Sequence, residues 1–311
     1  MKELIKKRMP RLFKYLHEVR ELYYKFLVFI SPRLFIKVWY KHCFGKRINL
    51  KSPEGICEKI NWMKLYSDMS LWTLCADKVA VRQYVKQHGL DFTLNDVYGV
   101  FEDANEIDFD TLPNEFVLKT NNGGGGNNVI IVEDKQKLDI PDAIRKLNKW
   151  KAKKIGNRYY EPHYNSIHPR IIVEKLLKPN AGELSLTDIK IYCINGKAHS
   201  VFFCSDRVFG EKVCYSVYDL NWNLHPEFIE PEYRAKKIYP RPKSLMKMIE
   251  YSEKLSAEIP FVRVDWYEIG GQPIFSELTF TPAGGFMRFH SKEYLYDMGR
   301  QLKLPEPIKK V

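Results

Sequence analysis

Apolar and polar residues recur along the chain with two different periods, and the switches between them mark out its elements. Near the start, Ile5, Met9, Leu12, Phe13 and Leu16 fall at helical spacing while Lys6, Lys7, Arg8, Arg11 and Lys14 fill other positions, which predicts a basic amphipathic helix. Ser31-Pro32 supplies an N-cap and first-turn signal for a second helix, striped by Leu34, Phe35, Val38 and Trp39. Residues 77–85 are again helical in pattern, with Gly89 as the stop. Strand-like runs follow. Residues 112–120 and 129–132 flank the loop Asn121-Asn122-Gly123-Gly124-Gly125-Gly126-Asn127-Asn128, and 169–177 is a short apolar strand around Glu174. Residues 186–194 and 197–205, joined by Asn195-Gly196, predict a hairpin with a type I′ turn, which places Asp188, Lys190 and Tyr192 on one face. A second hairpin runs through 261–269 and 273–282. There Val262, Val264 and Trp266 match Ile274, Leu278 and Phe280 as an apolar face, opposite Arg263, Asp265, Tyr267, Phe275, Glu277, Thr279 and Thr281.

Charge divides the chain in two. Residues 1–51 hold 14 of the 50 Lys+Arg and 3 of the 38 Asp+Glu, so nearly all of the +12 net charge sits in this arm and the body is close to neutral. With 45% hydrophobic and 14% aromatic residues, the 311-residue chain has ample material for a core, which excludes a disordered protein. Two readings of the arm stand side by side: helices that pack on the body and show lysines to water, or docking on an anionic membrane surface or polymer. No nucleic-acid motif accompanies the charge, so no nucleic-acid partner is expected. The six cysteines form no C-x-x-C pair and predict inert thiols in a reducing compartment. Lys25, Pro32, Arg33 and Lys37 interrupt the most apolar stretch, so no membrane span is predicted, and the start lacks a signal-peptide pattern.

Three features carry chemistry. The glycine loop, with Lys119 at its lip, suits backbone N–H groups converging on phosphate oxygens; a plain hairpin connection is the alternative. Lys190 lies on a polar sheet face, solvated or directed at a ligand. If the second hairpin turns through the three residues Gly270 to Gln272, Asp265 faces Glu277 directly. Facing carboxylates repel, and Mg²⁺ or Mn²⁺ held by both is the simplest offset; the alternative pairs one acid with Arg263 and exposes the other. The histidines are scattered and none lies near a nucleophile elbow. His163 and His168 fall in a Tyr-rich segment that reads as surface.

The ordered set Asp77-Lys78, Phe116-Val117-Leu118-Lys119 with its glycine loop, Ile172 to Leu177, Asp188-Ile189-Lys190, Arg263-Val264-Asp265 and Glu277 to Pro282 resembles the ATP-grasp superfamily. Within it, the chain is similar to the TupA-like, teichuronopeptide-biosynthesis branch of bacterial surface-polysaccharide gene sets, over roughly residues 50–305. The resemblance implies an α+β, ATP-grasp fold whose two lobes sandwich ATP, behind a basic helical arm. It divides the chain into the arm (1–72), a lid subdomain with the glycine loop (73–173) and a catalytic subdomain with the metal site (174–311). Lys78 and Lys119 would contact phosphates beneath Gly124, Gly125 and Gly126. Glu174 and the backbone of Leu176 and Leu177 would hold adenine, and Glu183 or Asp188 the ribose. Lys190 and Arg263 would act on the phosphoryl group, and Asp265 and Glu277 would bind Mg²⁺ or Mn²⁺. Many ATP-grasp ligases carry Asn two residues after the second acid, where this chain has Thr279.

The implied activity is a carboxylate–amine ligase acting through an acyl phosphate, with an amino acid and a sugar acid or amino sugar as partners and Arg207, Arg288 and His290 as candidate substrate contacts. A sugar or polyol kinase, and a non-catalytic glycan- or membrane-binding adaptor, are the alternatives. The expected location is cytoplasmic, peripheral on the inner face of the plasma membrane if the arm docks there.

Overall fold

The two periods in the sequence resolve into two antiparallel sheets, each backed by a helix, in a computed structural model that describes residues 10–124, 128–180, 186–205 and 214–309. Gly125, Gly126, Glu183 and Arg207 therefore lie outside the described residues. The arm forms α1 (Pro10–Ile30) and α2 (Pro32–Phe44). Ser31 caps α2 as its sequence predicts, its hydroxyl accepting from Leu34 N–H at 3.2 Å, and Gly45 at φ 70° ends it. Next come α3 (Ile56–Tyr66), α4 (Ser70–Ala76) and α5 (Val81–Gln87). The helix expected from Asp77 begins four residues later, because the Asp77 carboxylate takes the Val79 N–H at 2.8 Å and holds a turn there.

The small lobe is a four-stranded sheet, order β1-β4-β2-β3, of β1 (Val97–Phe101), β2 (Phe116–Thr120), β3 (Val129–Val132) and β4 (Ile171–Lys175). Phe116, Leu118, Ile171 and Val173 point from it onto Ala143 and Leu147 of α6 (Ile140–Lys151), closing a core of its own. The glycine loop joins β2 to β3 as expected, with Lys119 paired to Val129. All of β4 lies in this sheet, so the expected boundary at 173/174 falls inside a strand. A short helix α7 (Pro162–Asn165) precedes β4.

The large lobe is a five-stranded sheet, order β7-β6-β5-β8-β9, of β5 (Asp188–Ile194), β6 (Lys197–Ser205), β7 (Cys214–Tyr218), β8 (Phe261–Ile269) and β9 (Gln272–Thr279). Its apolar face covers α8 (Leu245–Ser256), and Trp266 donates its indole N–H to Ser252 Oγ at 2.8 Å. The last helix is α9 (Lys292–Gln301). Leu27, Phe35, Ile36, Ile56 and Ile60 belong to this same large core, so the arm and α3 are built into the lobe instead of standing apart from it. None of the six cysteines forms a disulfide.

Asn195 and Gly196 adopt φ 49° and 76°, the type I′ turn that the Asn-Gly pair predicts. The β8–β9 turn differs from expectation. It has two residues, Gly270 and Gly271 at φ 57° and 74°, with Ile269 opposite Gln272. A bulge at Ser276 then shifts the register by one, so Asp265 still faces Glu277. Before the bulge the faces exchange: Phe275 joins Trp266 on the apolar side, ring centroids 5.7 Å apart, and Ile274 pairs with Tyr267 on the polar side.

Candidate active site

Strand pairing sets the polar face of the large sheet as three rows across β5, β8 and β9. They read Asp188–Tyr267–Ile274, Lys190–Asp265–Glu277 and Tyr192–Arg263–Thr279. The middle row holds the charge. Asp265 is 1% exposed and both its oxygens are taken: Arg263 Nε donates to Oδ1 at 2.6 Å, and Arg263 and Lys190 donate to Oδ2 at 2.6 and 2.5 Å. Lys190 also meets Asp188 Oδ2 at 2.6 Å. Burial opposes the Lys190 charge, but Asp265 and Asp188 outweigh it and hold the ammonium above its ordinary range. Glu277 is the open acid, about a third exposed. It accepts from Thr279 Oγ1 at 3.2 Å and stands 3.7 Å from Arg263. Burial pushes its carboxyl up, yet Lys78, Arg263 and Lys190 outweigh that and hold it at about 2. The facing carboxylates are thus offset by the protein's own cations, the alternative weighed from sequence, and the pairing alone does not demand a metal.

The segment between α4 and α5 brings a further cation to the same place. Lys78 Nζ lies 3.5 Å from Glu277 Oε2 and donates to the Gly123 carbonyl at 2.6 Å, so it bridges the glycine loop to the acid row. Its position is fixed from behind. Asn121 donates to Asp77 Oδ1 at 2.8 Å and accepts the Arg170 N–H at 2.6 Å, while the Arg170 guanidinium meets Asp77 at 3.3 Å. Among the described residues, a Cβ on Gly124 would meet nothing within 4 Å. Lys119 and Glu174, expected at phosphate and adenine, pair with each other at 2.6 Å.

The sequence profile of the TupA-like ATP-grasp family matches residues 58–303. The chain belongs to this family. Among solved structures it is similar to D-alanine–D-alanine ligase from Bacillus anthracis, 17% identical over 73% of this chain and 66% of that one, TM-score 0.43. It is also similar to the Helicobacter pylori enzyme, 14% identical over 74% and 62% of the two chains, TM-score 0.45. A D-cycloserine synthetase is 12% identical over 75% and 71%, TM-score 0.43. The match spans under two thirds of the length of either D-alanine–D-alanine ligase. No curated protein matches.

In this ATP-grasp frame, Leu176 and Leu177 line a cavity of about 680 Å³ between the lobes, with Leu94, Tyr98, Ile269 and Ile274. Ile274 was read onto the opposite face, and only the Ser276 bulge brings it here. Further residues near the acid row carry no motif. Glu161 Oε1 accepts from Thr281 Oγ1 at 2.5 Å. Lys64, 2% exposed, donates to Asn61 Oδ1, the Tyr159 carbonyl and the Gly284 carbonyl at 2.9, 2.8 and 2.8 Å, beneath the Pro282–Gly285 turn. Burial pushes its ammonium down to about 7.

Arg288 lines a second cavity of about 680 Å³, between Tyr40, Cys43 and Lys46 of the arm and Glu230 and Tyr233 of the body. Among the described residues no carboxylate lies in ion-pair range of it. His290 is not a free substrate contact. It is buried in that cavity's wall, its nitrogens facing Tyr192 OH at 3.1 Å and the Phe228 carbonyl at 3.3 Å, and burial holds it neutral, down at about 3. His163 is likewise not on the surface. It is fully buried against Trp72 and Tyr164, with no hydrogen-bond partner for either nitrogen among the described residues, whereas His168 is exposed and meets Glu102.

Among the described residues no group of three acidic, Cys or His side chains forms a metal cage. Glu277, the open acid, nevertheless fits Mg²⁺, which takes one or two carboxylates and completes its shell with water and phosphate, whereas both oxygens of Asp265 are already held by Arg263 and Lys190.

Proposed function

We propose that this chain is an ATP- and Mg²⁺-dependent carboxylate–amine ligase. The observation that supports it is the Lys190–Asp265–Glu277 row lying under Lys78, which also holds the glycine loop, so that Lys78 and Arg263 converge on one open acid. ATP would lie between the lobes, its base against Ile269, Ile274, Leu176 and Leu177. Lys78 and Lys119 would neutralise its phosphates, while Arg263 and Lys190 hold Asp265 in the frame beneath. A bound Mg²⁺, held by Glu277 with Asp265 and Thr279 beside it, would neutralise charge at the phosphate oxygens. The γ-phosphoryl would pass to a substrate carboxylate oxygen as its bond to the ADP oxygen breaks. An amine would then attack the acyl carbon, phosphate would leave, and the surplus amine proton would pass to solvent. Catalysis of this kind rests on positioning and charge neutralisation.

The substrate pair we carry is an amino acid and a sugar acid or amino sugar of a bacterial surface polysaccharide, with Arg288 in the arm–body cavity as the carboxylate contact. The test is a screen of amino acids against sugar acids with ADP release as readout, and hydroxylamine present to trap an acyl phosphate. ADP with hydroxamate supports the ligase. ADP without hydroxamate assigns a kinase, and the lack of any thermal shift with ATP and Mg²⁺ assigns a non-catalytic adaptor.

A further inference from the structure

Helix α1 turns a continuous apolar stripe away from the protein. Tyr15, Leu16, Val19, Leu22, Tyr23, Phe26, Phe29 and Ile30 are between 46% and 88% exposed, and they cover roughly 140° of the helix circumference. The opposite side is already committed: Leu27 and Val28 are buried in the large core, and Tyr24 meets Trp39 edge-on, centroids 4.6 Å apart. The stripe offers on the order of 900 Å² of apolar surface, beyond the few hundred Å² usual for a patch on a monomer. Leu34, 45% exposed, extends it past the Ser31 turn, and the exposed Arg33, Lys37 and Lys41 of α2 flank that end.

We propose that this stripe seats the arm in the plane of an anionic lipid bilayer, with Phe26, Phe29 and Leu22 entering the headgroup–acyl boundary and the arm's lysines and arginines on the phosphates. Its width and its aromatic content match an interfacial helix, whereas a two-helix seam needs only a narrow stripe. Charge decides between a lipid surface and a second copy. Residues 1–51 carry 14 cations against 3 acids, so two arms brought together would set like charge against like, and an anionic membrane attracts each singly. Glu21 already faces Arg158 of the body at 3.8 Å.

The full chain is floated with phosphatidylglycerol–phosphatidylcholine vesicles and with pure phosphatidylcholine vesicles, at low and high salt. The comparison is the variant Leu22→Ser/Phe26→Ser/Phe29→Ser, whose changes are all on exposed positions, and Lys37→Gln/Lys41→Gln. Binding to the anionic vesicles is expected, falling about tenfold or more in the serine variant and severalfold in the glutamine variant or at high salt. Circular dichroism and the melting midpoint should stay at wild-type values. Equal flotation of wild type and serine variant overturns the proposal, as does equal binding to both vesicle types. So does a dimer in sedimentation velocity that the serine variant abolishes while no vesicle is bound. No arm of the experiment depends on ATP turnover.

Discussion

Replacing Asp265 by Asn removes the one negative charge that faces both Arg263 and Lys190 inside the sheet. Asp265 is 1% exposed and Lys190 4%, so neither cation gains water in exchange. The three hydrogen bonds of 2.5–2.6 Å lose their charge assistance, whichever donors face the new amide NH₂ lose their acceptor, and Asp188 remains for Lys190 alone. Breaking a buried pair by removing one partner costs about 3–5 kcal/mol, because the remaining charge is left uncompensated. Glu277→Gln is the contrasting change. That acid is about a third exposed and its cations stand at 3.5 and 3.7 Å, so the loss should stay below about 1 kcal/mol.

Urea unfolding of both variants separates these two roles, with ATP-dependent ADP release measured alongside. Both should lose turnover, and only Asp265→Asn should lose stability. Adding Lys190→Gln to Asp265→Asn should recover part of the loss, since the stranded cation is removed with its partner. An Asp265→Asn variant within about 1 kcal/mol of wild type would show that Asp265 is not the anchor of these cations.

Three further outcomes follow from single observations. A Cβ on Gly299 would press on the Glu54 carbonyl and lie 2.7 Å from Gly55 Cα where α9 crosses the start of α3, so Gly299→Ala should lower stability by about 1–3 kcal/mol in thermal melts. Lys64→Met strands the oxygens of Asn61, Tyr159 and Gly284, so it should cost about 2–4 kcal/mol in urea and loosen the Pro282–Gly285 turn, read as faster proteolysis there. His163 and His290 are held neutral by burial, down at about 3, while an unfolded histidine takes its proton near 6.5. Their contribution is therefore complete above pH 6.5 and lost as pH falls toward 3, and His163→Phe should flatten the acid limb of stability against pH. An unchanged limb would mean that His163 is protonated in the fold.

Much of the site was legible because it rests on local chemistry. Asn195-Gly196 dictates its turn, and alternation along 188–192 and 261–267 puts Lys190, Arg263 and Asp265 on one face. Long-range placement was not legible. The facing of Asp265 and Glu277 was reached through a three-residue turn that does not form; the bulge at Ser276 restores the same pairing, and no Gly or Pro marks it. The same bulge exchanges Ile274 and Phe275, so the cavity's isoleucine was assigned to the core. His163 read as surface because Tyr and His surround it in sequence, but Trp72 and Phe280, distant along the chain, close over it. Ile56 and Ile60 gave no sign that α3 belongs to the main core, because a mean apolar content says nothing about which lobe it fills.

The arithmetic of charge across the cleft sharpens which cations are free to act. Among the described residues, Lys78, Lys119, Lys190 and Arg263 are met by Glu174, Asp188, Asp265 and Glu277, so phosphates entering the cleft would have to displace carboxylates from cations. Displacement is easiest where contact is long or wet. Lys78 stands 3.5 Å from an acid a third exposed, whereas the Lys119–Glu174 pair is short, 2.6 Å, and mostly buried. Lys190 and Arg263 are bound at 2.5–2.6 Å to an acid with almost no exposure, and pulling either away would leave the buried Asp265 charge only partly compensated. On the proposed reading, Lys78 would therefore be the cation that answers a nucleotide most readily, and the Arg263–Asp265–Lys190 cluster would be the frame on which Glu277 stands.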